Sequence, residues 1–280
     1  MEKQMKFPYQ FFVVTFLWSW LCWLPVSLEG AGLITITMDK NLFGIIRNIL
    51  ILLGIFGPGV GAFYCLRTRN GKGAVGQYLR GLLDLRLGWI TWFIPMVLFG
   101  AGCFLGWIIP EFWGEPRLPL SVASFLAIPV SFLFMTLLGG GQEELGWRGY
   151  ILDFMEERFG PWLGNLVLGV IWSVWHLPLF FTPFMGEYYF PFVAFMLFCI
   201  GFSFILSWLR QASGKRLMAG IYTHGVANTI MGLFPILVMK ENVTQSRFWV
   251  CSILMFLVGI SVMFIRMRKT SAGSGLKVNS

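Results

Sequence analysis

Charge is scarce in this chain. Asp, Glu, Lys and Arg make up 12% of its 280 residues, against about 25% in a soluble domain. With 57% of residues hydrophobic, that scarcity excludes an ordinary water-soluble fold and calls for lipid as solvent. Histidine is scarcer still, with two residues in the whole sequence. The five cysteines are odd in number and never spaced as CxxC, which argues against a disulfide framework or a cysteine zinc site. No HExxH and no GxSxG occurs, so the usual zinc-peptidase and serine-hydrolase signatures are missing.

What is there is a series of apolar runs. A bilayer-spanning helix needs about 20 mostly apolar residues. Eight runs qualify: Tyr9–Leu28, Phe43–Leu66, Gly88–Ile109, Ser121–Leu138, Pro161–Phe181, Phe190–Leu209, Leu217–Met239 and Phe248–Ile265. Lys3 and Lys6 precede the first run, which reads as a retained targeting helix because no small-x-small cleavage site follows it. The expected fold is all-α, a polytopic membrane bundle of about eight transmembrane helices. Its parts are N-terminal spans over 1–120, a helical core over 121–240, a last span over 241–265 and a disordered polar tail over 266–280.

The net charge is +8. If the N-terminus is cytoplasmic, 16 of the 21 basic residues fall in inner segments and 5 in outer ones. Positive charge stays inside, so both termini are expected in the cytoplasm. The basic residues thereby report topology, and no nucleic-acid partner is expected. Membrane lipids are the expected surroundings, with Arg67, Arg69 and Lys72 suited to anionic headgroups.

One charged run does not sit at a span end. Gly141-Gln142-Glu143-Glu144-Leu145-Gly146-Trp147-Arg148 lies between apolar stretches. A charge at the bilayer centre costs about 2.5–3.5 kcal/mol on insertion scales, and such residues suggest function by default. Glu144 and Arg148 are four apart and pair on one helix face. Glu143 points about 100° away and is the spare carboxylate, suited to general-base work. Read alone, the run also fits a cytoplasmic loop with a solvated helix start.

Both histidines lie inside apolar segments. His224 and Asn228 share a helix face, and Trp172 can pack on His176 four residues later. Pro178 ends or kinks that helix. A lone buried histidine is more often structural than catalytic, but here both lie so placed, and one has a polar partner at helical spacing. His176 lies about 22 Å into its span, whereas Glu143 follows the end of its own. They can meet if the fourth helix runs from near Pro129 to about Met155, with Glu143 in mid-helix and Gly139, Gly140 and Gly141 allowing close approach or a kink.

Glu, two His and Asn suit amide hydrolysis. Glu143 and His176 can activate water, and His224 and Asn228 can donate to the oxyanion. Two rivals stay open: Glu143, His176 and His224 as a zinc set, and a transporter with a polar midplane site.

The pattern Glu143-Glu144-x-x-x-Arg148, then Trp172 before His176, then His224-x-x-x-Asn228 resembles the three motifs of the CAAX protease and bacteriocin-processing family. The similarity covers about Phe125–Met231. It implies an intramembrane, metal-independent, glutamate-type endopeptidase with no cofactor. By that resemblance Glu143 and His176 activate water, His224 and Asn228 hold the oxyanion, and Glu144 and Arg148 keep the site in shape. Trp172 stands where the family usually has phenylalanine and supports the site by stacking. The segments Glu-Glu-Leu-Gly-Trp-Arg-Gly-Tyr and Trp-His-Leu-Pro-Leu-Phe look like the bacterial branch, which implies a multi-pass protein of a bacterial inner or plasma membrane. The implied substrate is a membrane-associated peptide or protein, lipidated or not. A non-catalytic role in bacteriocin self-immunity or scaffolding on the same fold is the alternative.

Overall fold

A computed structural model describes residues 6–275. Lys3, Lys277 and the end of the tail, 276–280, lie outside them. All regular structure among the described residues is helical, as expected. The long helices are α1 (Tyr9–Gly30), α2 (Lys40–Ile55), α3 (Gly57–Asn70), α4 (Gly88–Ile108), α5 (Ile128–Leu137), α6 (Leu152–Trp175), α7 (Phe192–Ala212), α8 (Leu217–Met231) and α9 (Ser246–Gly275).

Among the described residues five helical segments are long and apolar enough to cross a membrane, and α2 with α3 makes a sixth if their 47° bend lies within one span. The sequence expects eight. The difference has local causes. The expected spans Ser121–Leu138 and Pro161–Phe181 both fall in one interrupted apolar stretch, Ile128–Phe181. The expected span Leu217–Met239 is α8, 15 residues long and ended at Met231, with Gly232 and Pro235 following. The tail expected from Arg266 is helical to Gly275, and Arg266 pairs with Glu156 at 2.6 Å.

Apolar side chains cover the outside as well as the core. Leu21, Leu126 and Val130 are each at least 70% exposed, which suits a surface solvated by acyl chains. Inside, α7 packs between α6 and α9, α9 lies on α4, and α8 lies on α4 and α5. Trp23, Trp147 and Trp175 are fully buried where α1 meets α6.

The stretch from α5 to α6 positions the site. α5 stops at Leu137, and Gly140 has φ 134°, a conformation open mainly to glycine. A 3-10 turn, Gly141–Glu143, restarts the chain, and a π-helical turn, Trp147–Ile151, leads into α6. α6 is itself two helices joined at Gly160, φ 76°. Asn165 donates across that joint to Glu156 at 2.8 Å, so the chain reverses there. The continuous helix expected from Pro129 to Met155 is therefore replaced by a broken one. Glu143 stands in the first turn after the break, not in mid-helix. The reversal at Gly160 brings the end of α6, and His176 with it, back to the level of Glu143.

Candidate active site

Four segments converge on this break. Glu143, Glu144, Arg148, His176 and His224 are all at most 8% exposed, and Asn228 is half-buried. Glu143 Oε2 accepts a hydrogen bond from Trp172 Nε1 at 2.8 Å. The carbonyl of the same Trp172 accepts from His176 Nδ1 at 2.9 Å. A carbonyl can only accept, so Nδ1 carries the proton and Nε2 presents a lone pair in the neutral ring. Trp172 thus fixes both members of the expected water-activating pair, one by its indole N–H and one by its backbone.

The second pair is held from α8. His224 Nδ1 lies 2.9 Å from Glu144 Oε1, which also accepts from Arg148 Nη1 at 3.0 Å. The Arg148 guanidinium stacks on the Trp172 ring, 4.5 Å from its centroid, where the negative π face offsets part of its burial. Trp172 also meets His224 edge-on at 5.4 Å between ring centroids. Asn228 Nδ2 donates to the Gly139 carbonyl at 2.7 Å. That uses one of two N–H bonds and leaves the other free to donate.

Gly140 is the meeting point. A Cβ there would stand 2.6 Å from His224 Nε2 and 2.7 Å from Asn228 Nδ2. No larger residue fits, and the positive φ also favours glycine. Gln142 stitches the break: its Oε1 accepts from Gly140 N at 3.0 Å and its Nε2 donates to Leu138 O at 3.1 Å. Backbone groups freed by a broken helix in lipid need such partners.

The structure brings together all seven residues singled out in the sequence. It adds Gly140 and Gln142, whose signal was the Gly139-Gly140-Gly141-Gln142 run before the carboxylates. It also adds Glu187, half-buried on the loop turn Gly186–Tyr189 and within electrostatic reach of Glu143. Burial pushes the Glu187 carboxyl above the usual range. Nothing in the local sequence marks it, because its position is set by the path of the loop.

Among the described residues no three His, Cys, Asp or Glu side chains are grouped to hold a metal ion. Glu143, His176 and His224 do not form such a cluster. They are spread around Trp172, and the His224 Nδ1 is already engaged by Glu144.

Residues 123–230 match the family model described as type II CAAX prenyl endopeptidase Rce1-like. That stretch contains every residue of the site described above. Over 240 residues the chain is 23% identical to CAAX prenyl protease 2 of Methanococcus maripaludis, an overlap covering 82% of this chain and 85% of that protein. The similarity to CAAX proteases carried by the three motifs is borne out, and it extends beyond them to most of the chain.

Proposed function

We propose that this membrane protein is an endopeptidase of the CAAX-protease type, cleaving a peptide bond in a membrane-associated protein or peptide. Water lies between Glu143 and His176. Glu143 takes a proton from it, while the bare His176 Nε2 accepts its other hydrogen and aims the oxygen. The water oxygen bonds to the scissile carbonyl carbon, and the carbonyl becomes an oxyanion. The free N–H of Asn228 and an Nε2–H of His224 donate to that oxyanion. Collapse breaks the C–N bond, and Glu143 returns its proton to the departing nitrogen.

Each supporting residue has a task in this scheme. Glu144 holds the His224 ring through Nδ1, and Arg148 holds the Glu144 carboxylate in place. The observation that carries the reading is Trp172 holding a carboxylate and an imidazole by two separate hydrogen bonds in an apolar interior.

The test uses purified protein in liposomes and a fluorescent peptide bearing a farnesylated cysteine followed by three residues. Wild type is expected to cleave it, and His176→Ala to lose about 10²–10⁴-fold in kcat. Cleavage is expected to survive chelation, with no stoichiometric metal by elemental analysis. Undiminished cleavage by His176→Ala would overturn the scheme, and loss of activity on chelation with recovery on adding zinc would replace it by a metal mechanism.

A further inference from the structure

A cleft runs from the site along the interface of α5 and α8. Its volume is about 310 Å³, and Asn228 lies in its wall. Ala123, Ala127, Ser131 and Met135 form one side at intervals of four, with Thr229 and Leu233 opposite. The other face of the same segment is bulky and lipid-facing: Leu126 is 78% exposed, Val130 73% and Leu133 60%. Along 123–131, therefore, small residues line the cleft and large ones cover the outside.

We propose that this cleft receives the substrate's backbone in extended form beside the scissile bond. The inference rests on the endopeptidase reading and names where that site takes its peptide. Three observations carry it. First, the cleft is continuous with the site through Asn228, which also touches the break at Gly139. Second, its volume is at the low end of the roughly 300–1,000 Å³ of small-ligand pockets, and a helix of about 10–12 Å diameter does not fit it. An extended strand with small side chains suits it. Third, a peptide unwound in hydrocarbon needs partners for every N–H and C=O. Ser124 and Ser131 bring hydroxyls to the wall. Thr229 spends its proton on Gly225 O at 2.7 Å and keeps a lone pair to accept an N–H.

Ala127 and Val130 make a matched pair for the test. Both are exposed on the same segment, so substitution at either leaves the core untouched. Ala127→Leu fills the cleft and is expected to raise KM for the farnesylated peptide about tenfold with kcat within about twofold, the signature of lost binding shared by ground and transition states. Val130→Phe is expected to change neither. In a Glu143→Gln background, benzoylphenylalanine at position 127 is expected to cross-link the intact peptide on illumination, and at position 130 it is not. Wild-type cleavage with equal cross-linking at the two positions, or with an unchanged KM in Ala127→Leu, overturns the cleft and leaves the endopeptidase reading standing. Absence of wild-type cleavage overturns the endopeptidase reading, and a cross-link confined to position 127 then still supports peptide binding in the cleft.

Discussion

Two clusters of carboxylates, one buried and one half-buried, lie at opposite ends of the same stretch of chain, and they are built on different rules. Near the reversal at Gly160, Asp153 pairs with Arg210 at 2.8 Å and Lys215 at 2.9 Å. Glu156 pairs with Arg266 and also accepts from Asn165 and Ser207, both at 2.8 Å. Both of these carboxylates meet a cation. At the break, Glu144 has Arg148 and His224, but Glu143 has the neutral indole N–H of Trp172. Among the described residues no cation forms an ion pair with Glu143. A compensated carboxylate holds helices together. An uncompensated one in an apolar interior is poised to take a proton.

This contrast can be broken from either side. The largest stability effect is expected at Arg148→Ala, which leaves Glu144 with one cation fewer. Removing one partner of a buried pair costs about 3–5 kcal/mol, read by denaturation in detergent, with activity falling as His224 loses its anchor. Next, Asn228→Ala removes one oxyanion donor and is expected to lower kcat about 10²–10³-fold, with little change in melting. At the compensated end Glu156→Gln is expected to cost about 1.5–3 kcal/mol of stability, the range for hydrogen bonds to charged groups, with kcat within about twofold. An equal loss of kcat there would erase the distinction between the clusters. The smallest effect is expected at Trp172→Phe, which keeps the ring and removes the N–H. About a tenfold loss of kcat, roughly 1.4 kcal/mol, would show that the hydrogen bond and not stacking alone holds Glu143.

Much of the site was legible because its chemistry is local. Glu144 and Arg148 pair at four-residue spacing, and His224 and Asn228 share a helix face, as the 3.6-residue period requires. The apolar runs gave the all-helical membrane fold for the same reason. The geometry joining the motifs is non-local and was not legible. The glycine run before Glu143 was compatible with close helix approach or a kink, and only packing against α8 selects the break at Gly140. The boundary at Gly160-Pro161 is where the fifth expected span begins, but the reversal of direction there is set by packing, so the depth of His176 relative to Glu143 could not be read from length alone. Trp172 suggested stacking from its spacing to His176. Its hydrogen bond to Glu143, 29 positions away in sequence, exists only once that reversal is made.

The central claim is that one uncompensated carboxylate, and not carboxylates in this stretch generally, does the chemistry. Cleavage of the farnesylated peptide by Glu143→Gln and Glu156→Gln, measured side by side in the same liposomes, tests it most directly. The account predicts a loss of about 10²–10⁴-fold in kcat for Glu143→Gln with its melting transition intact, and near wild-type turnover for folded Glu156→Gln. Cleavage by Glu143→Gln at the wild-type rate would contradict it.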